Sequence, residues 1–252
     1  MTKKDITVKE DQLPSTEFFD DMVGDSGKGV SQAQEDNIVP LLTVLQALSP
    51  QVSKRDPSYV EGAEPGDMLK RNSVHGPLVK GTEGTIFQPC FFSKVWIEWK
   101  PNKGGMAGRH QERPSDAEEV EEMINGKPKK KWVRANGNYV EETREHVGFA
   151  DNEPYVLPLK SSGHTVSRAW MQQMNQQIIP GTTKIAPSFA KKYRLTTVER
   201  SNNDGTWYII KPEDAGWVTK EEYQRGKSLH EAFSRGEKQA ASMEEEQSSP
   251  PF

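Results

Sequence analysis

Three stretches of the chain set cations among aromatic rings, the combination that suits an unpaired polynucleotide. In KVWIEWKPNKGGMAGRH (94–110) these are Lys94, Trp96, Trp99, Lys100, Lys103 and Arg109, beside a Gly-rich loop with room to close over a ligand. In KPKKKWVR (127–134), Lys127, Lys129, Lys130, Lys131 and Arg134 surround Trp132. In KIAPSFAKKYRLTTVER (184–200), Lys184, Lys191, Lys192, Arg194 and Arg200 stand among Phe189 and Tyr193. Cations track a phosphate backbone, and each base stacked on a ring contributes ~1–3 kcal/mol whatever its identity. A plainer account exists for each stretch taken singly. Lysine runs at hairpin mouths are commonly solvated edges that resist aggregation, and tryptophan and tyrosine in strands commonly fill a core. Three such stretches in one chain tip the balance toward strand binding. No zinc-finger or leucine-zipper pattern for reading duplex is found.

Signals for catalysis are weaker. GDSGKGVS (24–31) fails as a phosphate loop, because the motif needs four residues between its glycines and Ser or Thr directly after the lysine; here Gly29 follows Lys28. The histidines at 75, 110, 146, 164 and 230 form no i,i+4 pair, and the one cysteine, Cys90, lies in an apolar stretch where a small buried residue is the ordinary reading. Asp151 and Glu153 in ADNEP suit a metal-dependent nuclease, but two carboxylates in a turn are ordinary turn chemistry. The sequence therefore predicts a protein that is not an enzyme and needs no cofactor or metal.

Composition bounds the rest. At 33% hydrophobic residues and a mean hydropathy of -0.82, the chain reads as one ordinary core flanked by solvated segments. No apolar run approaches the ~20 residues of a membrane helix. The first residues, MTKKDITVKEDQLPS, lack the apolar centre of a secretory signal, and a lone cysteine excludes an internal disulfide; both point to the cytoplasm. The net charge of -4 argues at first against a nucleic-acid partner. Its distribution reverses that: residues 1–36 hold nine acids against four lysines, and Glu244, Glu245 and Glu246 add three more negative charges, so the intervening body is mildly basic.

The elements that must carry the candidate residues are mostly strands. Residues 1–36 read as a disordered acidic arm, with EFFDDMV (17–23) as a short helix or docking patch. IVPLLTVLQALSP enters the core in extended form, since Pro40 excludes a central helix position. GTIFQPCFFSKVWIEW (84–99) is the strongest strand signal, broken or bulged at Pro89, with Val95, Ile97 and Trp99 on one face. KKWVRANGNYVEE predicts a hairpin on Asn136-Gly137, and NNDG joins two further strands. HTVSRAWMQQMNQQII (164–179) predicts an internal helix ending before Pro180-Gly181. A closing amphipathic helix begins at Thr219, with Glu222 completing a capping box. The expected fold class is mainly β (α+β): an OB-like antiparallel barrel with one internal helix, a C-terminal helix and disordered acidic tails. The expected domains are the arm 1–36, a β-rich nucleic-acid-binding domain 37–218, the helix 219–239 and a flexible tail 240–252.

The tail ends EEEQSSPPF. This resembles the C-terminal tip of bacterial single-stranded DNA-binding proteins, in which acidic residues precede a Pro-Phe terminus, although Gln247-Ser248-Ser249 intervenes here and Pro250 replaces the usual isoleucine. That family recruits replication, recombination and repair proteins through the tip. The resemblance implies partner contacts by Glu244, Glu245, Glu246, Pro250, Pro251 and Phe252. The body, through LLTVLQALSPQVSKRDPSYVEGAEPGDML (41–69) and GWVTKEEY, resembles a family of uncharacterised tailed-phage proteins. Together these give the functional expectation: a phage protein that binds and protects single-stranded DNA during replication or recombination in the host cytoplasm. The alternative is a phage adaptor or virion component acting only through protein contacts. The oligomeric state, homo-oligomers included, stays open.

Overall fold

The computed structural model describes residues 38–241, apart from 72, 74–75, 102–104, 125–126 and 204. The acidic arm, Lys103 and the tip residues 244–252 lie outside the described residues. Everything described belongs to one compact unit, Asn37–Phe252.

The chain enters through short strands β1 (Ile38–Val39) and β2 (Leu42–Val44), then turns repeatedly to reach β3 (Met68–Lys70) and β4 (Leu78–Val79). β2, β3 and β4 form a small antiparallel sheet. The main sheet contains β5 (Thr85–Trp99), β6 (Met106–His110), β7 (Glu118–Ile124), β8 (Lys127–Val133), β9 (Tyr139–Ala150), β10 (Glu153–Leu159), β11 (Lys191–Asn202) and β12 (Gly205–Trp217). Between β10 and β11 lies helix α1 (Gly163–Asn175); after β12 come helix α2 (Lys220–Ser234) and β13 (Gln239–Ala240).

The expected mainly β class with an internal and a closing helix is borne out, but the barrel does not close. The order along the main sheet is β12-β11-β5-β9-β8-β7, with β10 also on β9 and β6 also on β5. β12 and β7 stand at opposite ends of this order and do not pair with each other. Helices cover both faces instead. Ala150 and Val147 point to opposite sides of β9. Ala150 packs with Phe87, Leu157, Tyr193 and Leu195 under Trp170 and Met174 of α1. Val147 packs with Cys90, Val156 and Phe189 under Leu229 of α2. A sheet buried between two helices has no need to curl on itself to hide its apolar side chains.

Local rules explain the details. Pro89 cannot donate to a ladder, and the register against β9 slips between Pro89 and Phe91, leaving Cys90 as the extra residue of a bulge. The slip carries Phe87 to the α1 side and Phe91 to the α2 side. The Asn136-Gly137 turn forms as expected, with Gly137 at φ 84° and the Arg134 amide donating to the Asn138 carbonyl at 2.8 Å. Asp151 and Asn152 both take positive φ, 50° and 71°, in the two-residue turn between β9 and β10. Thr219 accepts from the Glu222 amide and Glu222 accepts from the Thr219 amide, completing the capping box of α2. Where the sequence suggests a flexible tail from 240, β13 instead pairs in parallel with β1, and the Ala241 amide donates to the Val39 carbonyl at 2.9 Å.

Gly148 sits against the bulge. A Cβ there would lie 2.2 Å from the Gln88 carbonyl oxygen and 2.6 Å from the Phe87 ring. A backbone oxygen in mid-sheet cannot step aside, so Gly148→Ala is expected to cost about 1–3 kcal/mol or more. The check is a lower urea midpoint at unchanged m value.

Candidate functional site

β7 and β8 face each other as an acidic and a basic strand. In register, Glu119 opposes Trp132, Glu121 opposes Lys130 and Glu122 opposes Lys129. Lys130 pairs with Glu119 at 2.7 Å, Lys131 pairs with Glu122, and Lys129 is exposed. The densest lysine run is thus largely neutralised within its own hairpin, as expected of cross-strand opposite charges.

Other predicted cations also serve the fold. Arg109 makes a two-pronged ion pair with Glu145, which is buried and also accepts from Ser93. Arg134 donates to Glu98 at 2.7 Å and to Asp116 at 2.9 Å. Lys191 is buried, pairs with Asp214 and lies over the Trp217 ring at 4.8 Å. Lys192 pairs with Glu222 at 2.9 Å, while exposed Arg194 donates to the Glu83 carbonyl at 3.0 Å. Lys100 is exposed. Tyr193 needs a correction as a stacking platform: it is completely buried, edge-on to Trp170 at 5.4 Å, because α1 caps that part of β11.

Two surfaces retain what the chemistry requires. The first is a ring cluster on β5 and β8. Trp96 and Trp132 are half-buried and meet edge to face at 6.4 Å, with the exposed Arg113 guanidinium 3.7 Å from the Trp132 ring centre. Exposed Lys94 shares this face and stands directly opposite Arg144, which bonds Glu142 at 3.1 Å.

The second surface is a pair of adjoining clefts of about 560 and about 680 Å³, which share Ser162, Trp207, Ile209 and Ile210. The outer strand β12 forms one wall. The first turns of α1 and the 41–51 segment form the others. Arg71 and Lys160 line the first cleft, Arg200 and Lys211 the second, and no Asp or Glu lines either among the described residues. Lys160 also lies 4.4 Å above the ring of Trp99, a predicted tryptophan that does not itself line the cleft. Burial lowers the Lys160 ammonium pKa, opposed by Glu141 and Glu145. Sequence reasoning missed Trp207, Lys160 and Lys211 because no local spacing joins residues near 45, 160 and 207. The available signal was Trp207 in an otherwise β-branched hairpin close to Arg200.

The residues with catalytic chemistry are held by structural partners. Burial pushes the Cys90 thiol up to about 12, far from a nucleophile's range. Asp151 pairs with the buried Lys70 and accepts from Thr85, and Glu153 accepts from Ser73 at 2.6 Å and Tyr155 at 3.0 Å. No group of three His, Cys, Asp or Glu suited to a metal occurs among the described residues, and no described helix is long and apolar enough to cross a membrane.

No curated protein and no solved structure matches the chain. A family model does match, over residues 8–239, which spans the main sheet, the β2-β3-β4 sheet and both helices. The resemblance to phage proteins therefore holds at family level: the chain belongs to the Pam3 phage gp34-like protein family.

Proposed function

We propose that this phage-family protein binds single-stranded DNA without catalysis, the strand running through the clefts between α1 and β12 with a base against Trp207 and phosphates at Lys160, Arg200 and Lys211. The observation that carries the reading is the lining: four cations, the aromatic residues Trp207 and Tyr208, and no carboxylate among the described residues, in a chain of net charge -4. Along β7 and β8, by contrast, acids stand directly opposite the lysines. Lys211 also reaches Glu213 at 2.9 Å and Lys160 reaches Glu141 at 3.9 Å, yet neither acid lines the clefts, and a cation- and ring-lined cleft suits a polyanion with flat bases. The setting that follows is the host cytoplasm during phage replication or recombination.

The test is fluorescence anisotropy of labelled oligo-dT across a salt series. Arg200→Ala is expected to flatten the log–log salt slope by about 0.7, the contribution of one phosphate contact in a single strand. Trp207→Ala should weaken binding by ~1–3 kcal/mol, the value of one stacked base. Lys129, Lys130 and Lys131 changed together to alanine should leave the slope nearly unaltered, because two of those charges are already matched. Absence of salt-sensitive binding by the intact chain sinks the reading. The alternative, a phage adaptor or virion component, is favoured by the exposed Ile178, Ile185 and Trp217 side chains; it expects no strand binding from any of these proteins.

A further inference from the structure

The Trp96–Trp132 cluster lies outside the clefts and needs its own account. Arg113, in the loop between β6 and β7, spreads over both indoles, 3.7 Å from Trp132 and 5.8 Å from Trp96. It is exposed and makes no ion pair with another described residue, unlike Arg109 and Arg134 nearby. Lys94 is likewise exposed, without an ion pair among the described residues, two residues from Trp96 on the same face of β5. A guanidinium lying over a half-buried indole, with an exposed ammonium on the same face, offers a ring face, a lid and a phosphate contact in one place.

This surface is close to the clefts. His164, in the first turn of α1, bonds the Glu142 carbonyl at 2.9 Å, and Glu142 stands directly opposite Trp96. Ser162 and Gly163 of that same turn line the first cleft. One helical turn therefore separates the cleft from the tryptophan pair.

We propose that Trp96, Trp132, Arg113 and Lys94 form a second nucleotide contact, in which a base of the same single strand enters between Arg113 and Trp132 and its phosphate meets Lys94. This rests on the strand-binding reading and extends it: the strand crosses the first turn of α1, and the site has two parts. Two tethered contacts act through effective concentration, so affinity rises with strand length in a step once both are reached. The ion-paired lysines of β8 then serve to hold Trp132 in place.

The experiment compares oligo-dT of about 5 and about 15 nucleotides, near the two ends of the range that strand-binding modules occupy. For the full chain the longer oligonucleotide is expected to bind at least about tenfold more tightly after correction for the number of registers. Arg113→Ala with Lys94→Ala, both at exposed positions, should remove that step and leave the short oligonucleotide unchanged. Trp132→Ala should do the same, and a longer strand carrying 5-iododeoxyuridine should crosslink to Trp132. If the step is missing in the unaltered protein, or persists in the Arg113 and Lys94 variant, the second contact is overturned while the cleft reading stands. If neither oligonucleotide binds, both fail.

Discussion

Glu98→Ala is expected to destabilise the protein by about 3–5 kcal/mol, the range for removing one partner of a buried ion pair. Glu98 is buried, yet it is fully occupied. It accepts from Arg134 at 2.7 Å, Asn138 at 2.6 Å and Asn136 at 3.2 Å, and bonds His110 at 2.8 Å. Those partners come from β6 and from both sides of the Asn136-Gly137 turn. Without the carboxylate, Arg134 and His110 still reach water, which places the loss toward the lower end. The turn itself loses three donors' shared acceptor. Because β8 joins β9 only at Trp132 and Val133, loosening the turn should also free Trp132 and shrink the length step described above.

The same residue predicts a pH dependence. Burial alone would raise the Glu98 pKa, but Asn138, Arg134, His110 and Asn136 outweigh it and bring it from 4.5 to about 2. The folded value lies below the unfolded one, so the unfolded chain binds the proton more readily. The stabilisation is complete above pH 4.5 and is lost as the pH falls from there toward 2, amounting to about 3 kcal/mol. Urea midpoints at pH 7 and pH 3 should diverge strongly in the unaltered protein and less in Glu98→Gln. Equal divergence in both proteins would contradict the assignment.

Legibility in the sequence followed the range of the interactions. The bulge at Pro89, the Asn136-Gly137 turn and the capping box on Thr219 are set by neighbours within a few residues, and all three were readable. β7 was not, because four of the seven residues of EEVEEMI are glutamate, which is depleted in strands. What makes it one is the opposing KPKKKWV, a cross-strand match of charge. Asn125-Gly126 between the two was the overlooked hairpin signal. The same partner strand explains why the lysine run looked like a binding surface: a linear reading counts cations but does not see the acids placed opposite them. Closure of the sheet depends on where α1 and α2 pack, a long-range outcome, and so the barrel was expected and an open sheet found. The clefts are harder still, since they join three remote segments whose only shared property is that no carboxylate points in.

Trp170 ties the fold to the proposed site. Its side chain is 1% exposed, stacked on His146 at 4.7 Å, edge-on to Tyr193 at 5.4 Å and tilted against Phe87 at 6.0 Å. It seats α1 on the sheet and floors the second cleft. Trp170→Ala is expected to cost about 3–5 kcal/mol through lost transfer energy and the cavity left behind. A second readout separates this from generic damage. Burial, with a smaller push from Arg144, holds the His146 pKa near 3 against 6.5 when exposed. A depressed histidine stabilises the fold above 6.5 and loses that contribution as the pH falls through 3, since the unfolded chain takes the proton first. Opening a cavity beside the imidazole admits water and relieves the depression, so stability between pH 6.5 and 4 should depend less on pH in Trp170→Ala than in the unaltered protein. Trp170→Phe keeps an aromatic seat and should retain both the steeper dependence and most strand binding. Strand binding that survives intact in a folded Trp170→Ala protein, with α1 no longer seated, would place the strand somewhere other than the α1–β12 cleft.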